Sequence, residues 1–313
     1  MSGYLEHGVW TQGWYDTRKT GGEFVRPNAQ FRRRVTADGS SGFKAEPGRY
    51  HLYVSLACPW AHRTLIFRKL KGLEAAISVS VVDPVMGDEG WTFSEGPGCV
   101  PDFVNGCEHL HQVYTLAELT YTGRVTVPVL WDKETQTIVN NESSEIIRML
   151  NSAFDAFTPV KTDYYPEKLR ERIDTVNAMV YEYVNNGVYR CGFASSQSAY
   201  DHAFDALFAI LDELEATLGL SPYLVGDHVT EADWRLFTTL ARFDAVYYVH
   251  FKCNRRRIAE YPNLSRLLRE LYLVPGVAET VNMDHIKRHY YISHTHLNPS
   301  GIVPRGPVLE FMA

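Results

Sequence analysis

The sequence has little cysteine, no long apolar run and no excess of basic residues, and each shortage excludes something. Five cysteines in 313 residues, an odd and sparse set, point to free thiols rather than a disulfide framework. The beginning, "MSGYLEHGVWTQGWYDT", lacks a basic segment followed by an apolar one, so no secretory signal is expected and a cytoplasmic, reducing location with free thiols is. No stretch of about 18 consecutive apolar residues occurs, so no membrane-spanning helix is expected. A net charge of −6 and a pI near 6.1 argue against a general nucleic-acid binder. Arg32-Arg33-Arg34 and Arg255-Arg256-Arg257 are too short to change that, and read as solvated or locally salt-bridged faces. Internal repeats and low-complexity tracts are also missing.

What is there is a core-forming chain. Its 45% hydrophobic content is enough for two domains, and its 13% aromatic content, with 19 tyrosines, suits either a large core or a site for flat, apolar ligands. Residues 1–45 are polar, glycine-containing and weakly periodic, and read as an extended arm. From residue 46 to 155 the pattern alternates. "RYHLYVSLA" is a strand, "WAHRTLIFRKLKGLE" a helix and "AISVSVVDPV" a strand, followed by a glycine- and proline-rich insertion over 84–109. "LHQVYTLAELT" is helical, "TVPVLWD" and "TQTIVN" are short strands, and "ESSEIIRMLNSAF" closes as a helix. The order β-α-β-α-β-β-α is thioredoxin-like. Residues 154–166 form a linker, and from 156 to 313 the chain reads as all-helical with a C-terminal tail. In that half Ala203, Leu207, Ile210, Leu211, Leu214 and Leu218 line one stripe, and Thr230 with Asp233 makes a capping-box variant.

Chemistry concentrates where "YVSLA" meets "CPWAHRTLIF". A free thiol titrates at about 8.5, so at neutral pH only a few per cent is the reactive thiolate. Cys58 is placed at a helix N-terminus, whose unpaired amides carry about half a positive charge and favour the thiolate. Pro59 suits the first helical position because it has no amide hydrogen to leave unpaired. The fourth residue of Cys58-Pro59-Trp60-Ala61 is not a second cysteine. Any disulfide on Cys58 must then be opened by an outside thiol, which points to glutathione; the bland alternative is a small buried cysteine at a cap.

Two further stretches fit a glutathione site. Val127-Pro128 in "RVTVPVL" predicts a cis peptide bond that presents the backbone of Val127 to a peptide ligand, as against a trans proline on an edge strand. Glu142 and Ser143 in "NNESSEII" open a helix. The amide and hydroxyl of Ser143 can bind a carboxylate there while Glu142 takes an ammonium, and a γ-glutamyl group carries both. Ordinary helix capping is the competing explanation.

"SLACPWAHRTLIFRKLKGLE", "GGEFVRPNAQFRR", "RVTVPVLWD", "NNESSEIIRMLN" and "NNGVYRCGFA" together resemble the glutathionyl-hydroquinone reductases, the xi-class glutathione transferases, over nearly the whole chain, including "HYYISHTHLNPSGIVPRGP". The resemblance implies a glutathione transferase fold, a thioredoxin-like domain followed by an all-α domain. It implies glutathione as co-substrate, no metal, a glutathionyl-hydroquinone as substrate, and a homodimer. It makes Cys58 the nucleophile and Trp91, Arg124, Val125, Thr126, Val127, Glu142 and Ser143 the glutathione contacts. Tyr189 in "NGVYRCG" matches a proton-transferring tyrosine, and Tyr247 and Tyr290 match tyrosines that favour the thiolate. No departure from the pattern occurs at these positions. On residue type alone, Trp91 is an exposed indole able to cover a ligand or a loop-packing residue, Arg124 meets a glycyl carboxylate or a surface acid, and no tyrosine outranks the others.

Other uses of these residues compete. An omega-like thiol transferase or dehydroascorbate reductase would use the same Cys58. A non-catalytic transferase-fold interaction module would need no thiol at that corner. Cys99, Cys107, His109 and His111 lie close in sequence, but not at the paired-cysteine spacing of a zinc site, and read as a free-thiol loop. Cys191 and Cys253 read as packed thiols, His294 and His296 as satisfied tail histidines.

Overall fold

Tyr50–Val54 is strand β3, and every one of its residues is buried, as expected for a central strand covered on both faces. The computed structural model of the polypeptide describes residues 3–312. Strand β1 is Gly3–Glu6 and β2 is Val9–Gln12. Helix α1 (Pro59–Leu70) returns the chain from β3 to the parallel strand β4 (Ser78–Val81). Then follow α2 (Leu110–Ala117), β5 (Gly123–Arg124), β6 (Val129–Asp132), β7 (Thr137–Asn140) and α3 (Ser143–Ser152). The main sheet has the order β4-β3-β6-β7, with β3 antiparallel to β6 and β6 antiparallel to β7. The β-α-β-α-β-β-α order read from the sequence is therefore present, with the two-residue β5 added.

The chain gathers into two units. The first comprises the segment ending at Trp14, Pro27–Thr162 and Glu279–Val303; the second comprises Tyr15–Arg26, Asp163–Ala278 and the residues from Pro304 onward. The break between Thr162 and Asp163 lies inside the 154–166 linker, while Tyr15–Arg26 and Glu279–Val303 each group with the unit other than that of their sequence neighbours. The parts of the arm up to Trp14 and from Pro27 onward join the first unit, where they are partly structured and partly apolar. Strands β1 and β2 pair, and β1 also pairs with β5. Phe31, Val35 and Phe43 are buried, and the Phe31 ring stacks on Tyr121 at 5.4 Å. Residues 279–303 join it through helix α10 (Met283–Ser293), whose His285 and His289 pair with the carbonyl oxygens of Pro97 and Pro84 at 2.7 and 2.9 Å.

The second unit is helical. Helices α4 (Arg170–Met179), α5 (Gly187–Phe193), α6 (Gln197–Leu220), α7 (Glu231–Arg242), the short α8 (Tyr248–His250) and α9 (Pro262–Tyr272) make it up. In α6 the expected stripe is buried except for Ile210, which is half-buried; Phe208 fills the core beside Leu207. Thr230 caps α7 with Asp233, whose second oxygen accepts the amide of Leu224 at 2.9 Å. Two π-helical stretches, Val180–Asn185 and Phe243–Tyr247, interrupt the α-helical runs. Among the described residues no helix is long and apolar enough to cross a membrane.

The two arginine runs are bridged locally. Arg32 forks onto Glu145 at 2.6 and 2.8 Å, and Arg255 pairs with Asp212.

Candidate active site

Cys58 is the N-cap of α1, with an extended backbone at φ −75° and ψ 123°, and Pro59 is the first helical residue. The loop before it is fixed from both sides. The Cys58 amide donates to Ser55 O at 3.2 Å, and Cys58 O accepts the His62 amide at 3.0 Å. The thiol is half-buried and unoxidised. It donates to Val127 O at 3.6 Å, and the Val127–Pro128 peptide is cis, as the sequence predicts. The thiol corner and the proline loop thus meet at one point of the first unit.

Beside that loop, Thr126 is held by a buried tyrosine. Tyr114 OH donates to Thr126 O at 2.8 Å and accepts the Thr126 amide at 3.2 Å. Asn141 Nδ2 donates to the same hydroxyl at 3.0 Å. Burial raises the Tyr114 pKa, so it is a neutral brace. Val125 and Val127 are buried. Glu142 is the N-cap of α3, and its carboxylate accepts the Ser144 amide at 3.0 Å. Ser143 is the first residue of that helix. Both functions weighed for this pair, helix capping and ligand binding, remain open to it: the cap uses one oxygen of Glu142.

Trp91 departs from the exposed indole considered on sequence. It is only 7% exposed and stacks on His289 of α10, with centroids 4.8 Å apart and planes 21° from parallel. The insertion carrying it is fastened by short backbone bridges, with Val81 opposite Val100 and Val82 opposite Phe93. Arg124 also has a partner no sequence pattern suggests. Its guanidinium donates to the carbonyl oxygens of Gly13 at 2.6 Å, Trp14 at 2.9 Å and Gly3 at 3.2 Å, and lies over the Tyr4 ring. It gathers the arm against β5. Tyr290, on α10, is buried and meets the rings of His289 and His294 edge-on at 5.2 and 5.5 Å.

Tyr189 and Tyr247 belong to the second unit, where their rings lie 6.0 Å apart. Tyr247 ends one π-helical stretch and Tyr189 follows shortly after the other. Such widened turns cost regular hydrogen bonding and concentrate at functional positions. Phe251 stacks on Tyr247 at 5.4 Å and 10°, and lies 5.4 Å from Tyr189. Gly192 permits this: a Cβ there would come within 2.1 Å of the Phe251 ring. The Arg26 guanidinium lies 4.8 Å from the Tyr189 ring centroid and donates to Asn186 Oδ1 at 3.0 Å. Sequence reading missed Gly192 and Arg26; "NGVYRCG" and "GGEFVRPNAQFRR" contain them, but nothing local marks their partners.

The remaining thiols and histidines have their own partners. Burial next to Asp102 pushes the Cys107 thiol up to about 12. Cys253 is raised by burial and by its neighbour Cys191. His111 stacks on Trp10 at 4.9 Å and pairs with Glu89 at 3.0 Å, while His294 and His296 contact the Trp14 ring. Among the described residues no group of three or more His, Cys, Asp or Glu side chains could hold a metal ion.

Sequence models of the glutathione S-transferase N-terminal and C-terminal domains match residues 57–153 and 197–270. A glutathionyl-hydroquinone reductase of Sphingobium chlorophenolicum is 59% identical over 305 residues, covering 97% of this chain and 96% of the relative. The solved xi-class glutathione transferase of Natrialba magadii superposes with a TM-score of 0.93 at 49% identity, covering 100% of this chain and 95% of that one. The chain belongs to the xi class of the glutathione transferases. A glutathione-bound glutathione transferase homologue from Escherichia coli K-12 has the same fold, with a TM-score of 0.92 and 52% identity over 99% of this chain and 97% of that one. The thioredoxin-like and helical parts of this xi-class protein are thus those of a glutathione transferase.

Proposed function

We propose that the protein is a glutathione-dependent glutathionyl-hydroquinone reductase with Cys58 as its nucleophile. The observation that carries this is the single thiol at the N-cap of α1, 3.6 Å from Val127 O, with Ala61 where a resolving cysteine would stand. In the first step the Cys58 thiolate attacks the sulfur that joins glutathione to the ring. The sulfur–carbon bond breaks, Cys58 and glutathione form a mixed disulfide, and the ring carbon takes a proton. Carbon leaves poorly, so the ring reacts as its keto tautomer and needs a proton donor, the role of Tyr189. In the second step a glutathione thiolate attacks the mixed disulfide, giving oxidised glutathione and free Cys58. The sum converts a glutathionyl-hydroquinone and one glutathione into the hydroquinone and oxidised glutathione.

Glutathione is held along one edge of the first unit in this reading. Val127 supplies backbone hydrogen bonds, and Ser143 takes the γ-glutamyl carboxylate at the N-terminus of α3 while Glu142 takes its ammonium. Trp91, Arg124, Val125 and Thr126 complete the contacts, and Tyr247 and Tyr290 favour the thiolate. A homodimer and a cytoplasmic location belong to the same reading; cysteines outside any disulfide among the described residues suit a reducing compartment, and light scattering tests the dimer.

The decisive assay supplies a glutathionyl-hydroquinone with free glutathione and follows hydroquinone and oxidised glutathione together. Equal molar yields of the two are expected. Reduction of dehydroascorbate without any release of hydroquinone would favour the omega-like alternative.

A further inference from the structure

Helix α1 carries a buried cation as well as the thiol at its head. Arg63 is one turn further on, and it is only 1% exposed. A guanidinium remains charged at every pH a protein survives, so Arg63 brings a cation inside the first unit. Its Nη1 donates to Ser143 Oγ at 3.4 Å, and the guanidinium carbon lies 4.6 Å from the Trp60 ring centroid. The Trp60 face packs against the guanidinium, and one of its nitrogens reaches the first residue of α3.

This has a consequence for Ser143. A hydroxyl has one proton and two acceptor positions. When arginine donates to Oγ, one acceptor position is filled, and the hydroxyl proton turns away from the guanidinium. The amides of the first turn of α3 already favour an anion at the helix mouth. The buried charge of Arg63 lies behind the same mouth and adds to that field in a medium that screens it poorly. We propose that Arg63 is a positioning residue for the α-carboxylate of the γ-glutamyl group: it orients the Ser143 hydroxyl as a donor and adds fixed positive charge behind the N-terminus of α3. It touches neither the reacting sulfur nor the ligand. This rests on the reading that glutathione binds with its γ-glutamyl group at Glu142 and Ser143.

The test compares two ligands by titration calorimetry: reduced glutathione, and 4-aminobutyryl-cysteinyl-glycine, which lacks only the α-carboxylate. Arg63→Met keeps much of the buried volume, and Arg63→Lys keeps the charge without the planar fork. For Arg63→Met, glutathione affinity is expected to fall about tenfold, the worth of a partly buried charge–dipole contact, while affinity for the analogue changes by less than about twofold. Arg63→Lys should recover part of the loss for glutathione alone. In a Ser143→Ala background the effect of Arg63→Met should shrink, because part of its action runs through that hydroxyl. Equal losses for both ligands in either Arg63 variant would assign Arg63 to packing between α1 and α3 and overturn the proposal. Should Arg63→Met fail to fold, the same comparison in Arg63→Lys decides. Failure of the parent protein to bind glutathione would remove the functional reading, and this inference with it; binding by the parent with no discrimination in the variants removes this inference alone.

Discussion

The Cys58 thiol donates to the carbonyl oxygen of Val127 across 3.6 Å, joining the head of α1 to the cis-proline loop. A peptide laid along that loop would bring its own cysteine sulfur to the same point. Replacing Cys58 by serine should therefore abolish turnover of a glutathionyl-hydroquinone. An alcohol is far less acidic than a thiol and a poor nucleophile towards sulfur. The near-isosteric change should leave the melting temperature unaltered. A serine variant that still turns over would hand the chemistry to another cysteine.

Thiol labelling should separate the cysteines by environment. At pH 7.5 iodoacetamide should modify Cys58, while Cys107 and Cys253 stay unlabelled in the folded protein. Burial raises both of these thiols, so both are protonated there, and Cys107 is pushed up to about 12. Cys107 labelling should rise about tenfold per pH unit as its thiolate fraction grows, for as long as the protein stays folded. Peptide mass spectrometry reads this out, and rapid labelling of Cys107 at neutral pH would contradict its raised pKa.

The thiol corner was legible in the sequence because its signals are local. Cys58 and Pro59 are neighbours at a strand-to-helix switch, Val127-Pro128 is a dipeptide, and Glu142-Ser143 opens a helix within three residues of a strand. What stayed illegible depends on residues far apart in the chain. Trp91 and His289 are separated by most of the protein, yet their rings stack. Arg124 carries the cation that a carboxylate reading requires, but its hydrogen bonds go to carbonyls of the arm. No periodicity marks residues 3–12 as a hairpin, because Val9 and its neighbours in β2 are not buried and show no apolar alternation. Helix α10 follows the helical half in sequence, so composition assigns it there; the bonds of His285 and His289 to Pro97 and Pro84, with the Trp91–His289 stack, tie it to the first unit.

The buried pair Arg49–Asp132 should dominate the acid sensitivity of the first unit. Asp132 is fully buried, and Arg49 forks onto it at 2.8 and 2.7 Å. Burial acts to raise the Asp132 carboxyl, but hydrogen bonds from Arg49, Thr135 and the Glu134 amide outweigh it, and the net shift is downward. A carboxylate with a lowered folded pKa contributes stability above its unfolded value of about 3.9, and that stability is lost as pH falls through the folded value. Arg49→Met should destabilise by about 3–5 kcal/mol at pH 7, because it leaves a buried carboxylate without its cation. The gap to the parent should narrow on acidification, since a protonated Asp132 needs no cation. Urea unfolding at pH 7 and pH 4 measures both, and a gap that widens at pH 4 would refute the assignment.

Gly192 should tolerate no side chain. The Cβ of alanine would meet the Phe251 ring at 2.1 Å, and that ring stacks on Tyr247 and touches Tyr189. Gly192→Ala should cost about 1–3 kcal/mol of stability through overpacking. It should also lower hydroquinone release more than thiol labelling of Cys58, because the ring it displaces supports both tyrosines. Unchanged stability and turnover would show that α5 shifts without disturbing the cluster.

Tyr189→Phe should spare the thiol and slow release of the ring. Attack on a simple disulfide delivers no proton to carbon, whereas cleaving sulfur from a ring carbon does. The variant keeps the ring that packs against Phe251 and Tyr247 and lies under Arg26, so the surrounding packing should hold. Hydroquinone release should fall by roughly 10²-fold or more, the usual worth of a positioned acid. Reduction of a small mixed disulfide by the same preparation should fall much less. Both rates come from one protein, so a folding defect would lower them together. Equal losses on the two substrates would remove Tyr189 as proton donor and turn the reading towards a general thiol transferase, in which the ring is a passenger and the disulfide exchange at Cys58 is the whole reaction.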